Sequence, residues 1–127
     1  MKTNESMENY LETILILEQK NNYVRAIDIA TELGFSKPSI SNAIKKLRAA
    51  GYVTIEEKTH IRLTDTGRAI AAATYERHCI LSQALMRIGV SQETALEDAC
   101  RMEHIISEET FLAMKRHHLA HQNLAQE

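Results

Sequence analysis

Apolar positions along this chain recur mostly with helical spacing. Met7, Tyr10, Leu11, Ile14, Leu15 and Leu17 form one stripe, the i, i+3, i+4 repeat of an amphipathic helix. Ser6 is a good N-cap residue, so the pattern predicts a helix from there to about Lys20, after a loose polar lead over residues 1–5. Asn21-Asn22 interrupts it. Ile27, Ile29, Ala30 and Leu33 predict a short second helix from about Ala26, ended by Gly34, since glycine readily takes the left-handed cap. Ser36 caps a third helix that tolerates Pro38 in its first turn and runs to about Ala50. Its inward face is Ile40, Ala43, Ile44 and Leu47. The period then changes to that of strands. Tyr52-Val53-Thr54-Ile55 and His60-Ile61-Arg62-Leu63 read as a hairpin with a polar tip, Glu56-Glu57-Lys58-Thr59.

Helical spacing returns at Thr64-Asp65-Thr66 and continues to about Ile88, where Gly89 stops it. Ala69–Ala73 is a small-residue segment that permits close packing. Ser91 caps the next helix, expected to reach about Ile106, and Ser107 caps a last one carrying Phe111, Leu112, Met114 and Leu119. With one Pro and four Gly in 127 residues, breaks are few and helices dominate. The expected fold is mainly α: a winged helix-turn-helix over residues 1–66, then an all-helical domain over 67–127.

In a winged helix-turn-helix the third helix is the one that enters a DNA major groove. Ser39, Ser41 and Asn42 are left outward on it, placed to meet bases or phosphates. Lys37, Lys45, Lys46, Arg48, Lys58 and Arg62 are placed to engage phosphates. The bland alternative is a solvated basic face used for protein contacts. Charge adds weight to the first reading. The chain is −2 overall, which argues against indiscriminate nucleic-acid binding, but Lys37–Arg62 holds six Lys/Arg against two Glu. Apolar surface after residue 66 exceeds what the small module can cover, and a two-fold homodimer is its economical use. Such a dimer presents two recognition helices to a pseudo-palindromic double-stranded site.

The opposite charge gathers later. Ser91–Glu109 holds six Asp/Glu against one Arg, and within it lies Asp98-Ala99-Cys100-Arg101-Met102-Glu103-His104. On a helix Cys100, Glu103 and His104 project together. A thiolate, a carboxylate and an imidazole suit a divalent transition metal but do not close a site. The alternative is a polar helix face with a buried cysteine. Two cysteines without a CxxC fit a reducing, cytoplasmic setting, and no apolar run approaches a membrane span. No nucleophile–base pair or phosphate-cradling loop suggests an enzyme. His117, His118 and His121, at i+3 and i+4 spacing, are of a type that binds metal, but the preferred reading is a polar, mobile terminus.

A winged helix, a long helix and an acidic Cys-x-x-Glu-His helix together resemble the DtxR/MntR family of metal-dependent transcriptional repressors. The resemblance covers nearly the whole chain: Ser6–Glu12, Asp28-Ile29-Ala30, Leu63–Arg68, Arg77-His78 and Glu97–Ser107. It implies a homodimeric, metal-activated DNA-binding repressor of metal-homeostasis genes, in the two-domain form without an SH3-like domain. It also implies the remaining ligands: His78 on the long helix, and Asn9 and Glu12 on the first helix, beside Cys100, Glu103 and His104. Asn9 stands where iron regulators have Met and manganese regulators Asp, and matches neither. Glu12 follows the manganese branch and Cys100 the iron branch, while Ser82 and Leu96 depart from the iron branch's ancillary ligands. By ligand softness a thiolate favours Fe²⁺, with Mn²⁺ close behind. Cys79 is expected in the core or an interface. The competing expectation is a winged-helix regulator that answers to thiol redox state or to another ligand.

Overall fold

The structure, a computed structural model, describes the backbone of residues 5–125 and side chains through His121. The elements are α1 (Glu5–Lys20), α2 (Ala26–Leu33), α3 (Lys37–Ala49), β1 (Val53–Glu56), β2 (His60–Leu63), α4 (Asp65–Arg87), α5 (Gln92–Met102) and α6 (Glu108–Ala125). This is the mainly helical, winged architecture expected. The chain divides into two compact units, Met1–Ala73 and Thr74–Glu127.

The first unit is organised by one core. Leu11, Ile14 and Leu17 from α1 meet Val24, Ile29 from α2, Ile40, Ile44 and Leu47 from α3, and Tyr52, Val53, Ile61, Leu63 and Ala71. Burying each Leu, Ile or Val side chain contributes about 1.5–3 kcal/mol. The helix-turn-helix is made by two caps. Gly34 adopts φ 71° and returns its N–H to the Ala30 carbonyl at 2.8 Å, while Ser36 Oγ accepts from the Ser39 N–H at 3.3 Å. The α2 start is held by Asp28, whose carboxylate accepts the Arg25 N–H at 2.9 Å.

The two strands pair antiparallel, Val53 opposite Leu63 and Glu56 opposite His60. A single bridge from Val24 extends the ribbon, with the Ile61 N–H donating to the Val24 carbonyl at 2.8 Å. Tyr52 lies before β1, and Glu56 belongs to the strand rather than to the tip. Thr64 then ties the ribbon to α4. Its N–H donates to the Tyr52 carbonyl, and its hydroxyl donates to the Gly51 carbonyl at 2.7 Å and accepts the Gly67 N–H at 3.1 Å.

In the second unit, Leu81 on α4, Ala95 and Ala99 on α5, and Phe111 on α6 are buried. Ser91 caps α5, accepting the Thr94 N–H. Ser107 stands before α6 and accepts the Thr110 N–H at 3.1 Å.

Three further local readings change. Glu5 is already helical, so Ser6 stands in the first turn of α1 and does not cap it; residues 1–4 lie outside the described ones. α5 stops at Met102 instead of near Ile106. The expected polar terminus around His117, His118 and His121 is helical, because His118 is buried and anchors α6. Among the described residues no helix is long and apolar enough to cross a membrane.

Candidate metal centre and nucleic-acid interface

The early stop of α5 shapes the centre. Beyond Met102 the chain tightens, with the Ile105 and Ile106 N–H groups both donating to the Met102 carbonyl at 3.1 Å. Glu103 is the cap residue and His104 already lies in the turn. The common helical face expected for Cys100, Glu103 and His104 is therefore broken at its end. Glu103 and His104 turn inward, with side chains 0% and 1% exposed, while Cys100 remains on the exposed side of α5.

Inside, the Glu103 carboxylate stands between two imidazoles. Its Oε2 lies 3.0 Å from His78 Nδ1, on α4, and its Oε1 lies 3.3 Å from His104 Nε2. Oε1 has no hydrogen-bond partner among the described residues. A fully buried carboxylate is expensive unless it is paired or coordinates a metal. Two nitrogen donors flanking such an oxygen form a donor set that suits a divalent cation. In the first unit, α1 carries Asn9, half-buried, and Glu12, buried among Leu11, Thr13 and Ile14 of the same helix.

Arg77, next to His78, holds the turn that carries Glu103 and His104. Its Nη1 donates to the carbonyls of Glu103 at 3.2 Å and Ile106 at 3.0 Å, and its Nη2 to the Glu108 carboxylate at 2.7 Å. Its guanidinium also lies over the Phe111 ring, 5.1 Å from the centroid. Sequence reasoning assigned Arg77 no role. Its partners lie 26–31 residues away, and the only local signal was its place beside a candidate ligand.

The nine candidate DNA-contacting residues, Lys37, Ser39, Ser41, Asn42, Lys45, Lys46, Arg48, Lys58 and Arg62, are all exposed. Lys37, Ser41, Lys45 and Arg48 of α3, with Arg25 and the tip residue Lys58, line a groove of about 440 Å³. Ser39 shares a hydroxyl hydrogen bond with Ser36 at the helix start, and Arg62 pairs across the strands with Glu56 at 2.8 Å. Among the described residues Lys58 has no ion-pair partner, so the wing adds its cation beside the partly neutralised Arg62.

Comparison with known proteins gives the same architecture. Residues 2–61 match the iron dependent repressor N-terminal DNA binding domain, and residues 64–122 match the iron dependent repressor metal binding and dimerisation domain. The chain belongs to the DtxR/MntR family. Members of this family are metal-dependent transcriptional regulators and not enzymes. The transcriptional regulator MntR of Salmonella typhimurium is 35% identical over 117 residues, covering 90% of this chain and 74% of that protein. The HTH-type transcriptional regulator MntR of Geobacillus kaustophilus is 37% identical over 102 residues, covering 80% and 72%. The solved structure of a manganese-dependent transcriptional repressor in complex with manganese superposes with a TM-score of 0.80 at 25% identity. It covers 88% of this chain, and the chain spans about half of that structure's length, 52%.

Proposed function

We propose that this chain is a homodimeric transcriptional repressor that binds a pseudo-palindromic operator when loaded with Mn²⁺ or Fe²⁺ and controls metal-uptake or metal-homeostasis genes in the cytoplasm. The observation that carries the reading is the buried Glu103 carboxylate between His78 and His104. Its proposed ligands are His78, Glu103 and His104, joined by Glu12 and Asn9 from α1 and by Cys100. The division of labour is DNA binding over residues 1–66 and metal binding with dimerisation over 67–127.

Mn²⁺ moves ahead of Fe²⁺ in this proposal. The solved relative is a manganese-dependent repressor in complex with manganese, and the imidazole–carboxylate donors are hard or borderline, whereas the thiol of Cys100 lies on the exposed side of its helix. A bound cation supplies the positive charge that the acidic α5 segment lacks. Glu103, His78 and His104 fix where that charge sits, and Glu12 and Asn9 tie α1 to it. Holding α1 fixes the helix-turn-helix built on it at the spacing an operator requires. Linkage then makes operator DNA tighten metal binding by the same factor. On the DNA side, Ser39, Ser41 and Asn42 face base edges. Lys37, Lys45, Lys46, Arg48, Lys58 and Arg62 face phosphates.

The test is a titration of operator-containing DNA with the protein in Mn²⁺, in Fe²⁺ under anaerobic conditions, and in chelator. At least a tenfold tighter complex with metal is expected; equal affinity in chelator would sink the proposal. The exposure of Cys100 favours one second reading, a thiol-redox sensor. Cys100→Ser separates them: a metal sensor that ligates through Cys100 loses metal affinity, while a thiol sensor loses only its oxidant response.

A further inference from the structure

The histidines of α6 have no part in the centre around Glu103 or in the DNA-facing surface. His118 is 3% exposed, and its Nε2 lies 3.0 Å from Gln83 Oε1 on α4. An amide oxygen only accepts, so Nε2 carries the proton. With the proton on Nε2, the lone pair of the ring stands on Nδ1. That nitrogen is buried and has no hydrogen-bond partner among the described residues. A buried acceptor left without a donor keeps its desolvation penalty uncompensated.

His118 lines a groove of about 540 Å³ between the last turn of α4 and the middle of α6, and His117 and His121 line it too. These two stand one turn apart on the same face, with ring centroids 4.0 Å apart. His121 Nδ1 donates to the His117 carbonyl at 2.9 Å. The bond fixes the tautomer and leaves Nε2 as a lone-pair donor. A carbonyl holding one ring nitrogen while the other ligates is the usual support of a metal-bound histidine.

We propose that His117 and His121 form a second metal site, separate from the Glu103 centre, for borderline divalent cations such as Zn²⁺ or Ni²⁺. Water completes the coordination shell, and a metal-bound water is the donor that His118 Nδ1 lacks. Among the described residues no carboxylate lines the groove, so the site offers Mn²⁺ little, since Mn²⁺ prefers oxygen ligands. The Arg87 guanidinium, which donates to the His118 carbonyl at 3.3 Å, repels a cation and makes this the weaker of the two sites. A chain that senses one metal at Glu103 thereby gains a separate response to another.

The experiment is a calorimetric titration of the full chain, first with ZnCl₂ and then with MnCl₂. Wild type is compared with the double variant His117→Gln/His121→Gln and with Glu103→Gln. The double variant is expected to lose one Zn²⁺ equivalent per chain and keep its Mn²⁺ equivalents. Glu103→Gln is expected to weaken Mn²⁺ binding and retain the α6 Zn²⁺ equivalent. An unchanged Zn²⁺ stoichiometry in the double variant overturns the proposal. So does a parallel loss of Mn²⁺ binding, which would mean that the histidines act only through the fold. Both substituted rings are exposed, and circular dichroism of the double variant is expected to match wild type.

Discussion

A methyl group on Gly67 would overlap the carbonyl oxygen of Tyr52. That carbonyl cannot swing aside easily, because it accepts the Thr64 N–H at 3.0 Å. Thr64 is itself locked by its hydroxyl, bonded to the Gly51 carbonyl and the Gly67 N–H. Gly67→Ala therefore has to displace the start of α4 or the entry to β1. It is expected to destabilise the chain by about 3 kcal/mol, as overpacking at a rigid contact does. Urea unfolding measures this as a lower midpoint with unchanged slope; a cost below about 1 kcal/mol would show that Tyr52 yields. By helix propensity alone the same change gains up to about 1 kcal/mol, so the sign of the result decides which effect wins. Here the sequence was legible only in part. Thr64-Asp65-Thr66 announced a helix start, but the need for glycine comes from Tyr52, fifteen positions earlier, through a contact that no local pattern contains.

At the level of elements, the hairpin tip and the end of α5 are where pattern and structure part. Glu57 and Lys58 adopt φ 49° and 69°, the left-handed region that a β-carbon disfavours by roughly 1–2 kcal/mol per residue. Replacing the pair by Asn-Gly, which accepts that geometry, is expected to raise stability by about 1 kcal/mol in thermal unfolding. It also removes the Lys58 charge, so DNA affinity should fall with a shallower salt dependence, by about one unit of log–log slope per subunit. The helices α2, α3 and α4 and both strands were legible within a residue or two, since each carries its own period and its own cap. The end of α5 was not. Heptad-like spacing continues past Met102, and what ends the helix is Arg77, a side chain from another element, engaging the Glu103 and Ile106 carbonyls. Arg77→Met is expected to lower Mn²⁺ affinity by about 10-fold, within the 10–100-fold range for supports of metal ligands. Arg77→Lys should recover part of it. If calorimetry gives equal Mn²⁺ affinity for wild type and Arg77→Met, the turn does not depend on the guanidinium.

For the whole molecule, charge segregation was visible from the start: a basic stretch over Lys37–Arg62 and an acidic one over Ser91–Glu109. Cys100, Glu103 and His104 were legible as residue types at helical spacing, whereas Asn9, Glu12 and His78 came only from the family resemblance. Which of them are buried was not legible, because burial of Glu103 depends on α5 ending where it does. Burial sets up an opposition between stability and metal response. A carboxylate held at 0% exposure is costly without a cation, and replacing a buried charged group by a neutral one of equal shape is often neutral or stabilising. Glu103→Gln is therefore expected to leave the melting temperature in chelator unchanged or higher. Wild type should gain about 2.7 kcal/mol when Mn²⁺ stands at 100 times its dissociation constant. At a few degrees per kcal/mol for a chain of this size, Tm rises by about 10 °C. Glu103→Gln should show little of that rise, so the order of the two melting temperatures is level or inverted in chelator, and wild type leads in Mn²⁺. Melting curves in both conditions decide it. If Glu103→Gln is several kcal/mol less stable in chelator, Glu103 is a structural ion-pair partner of His78 and His104. If both proteins gain equally from Mn²⁺, the metal is held elsewhere. Only a crossing or closing of the gap between the two conditions fits a buried carboxylate kept for a cation.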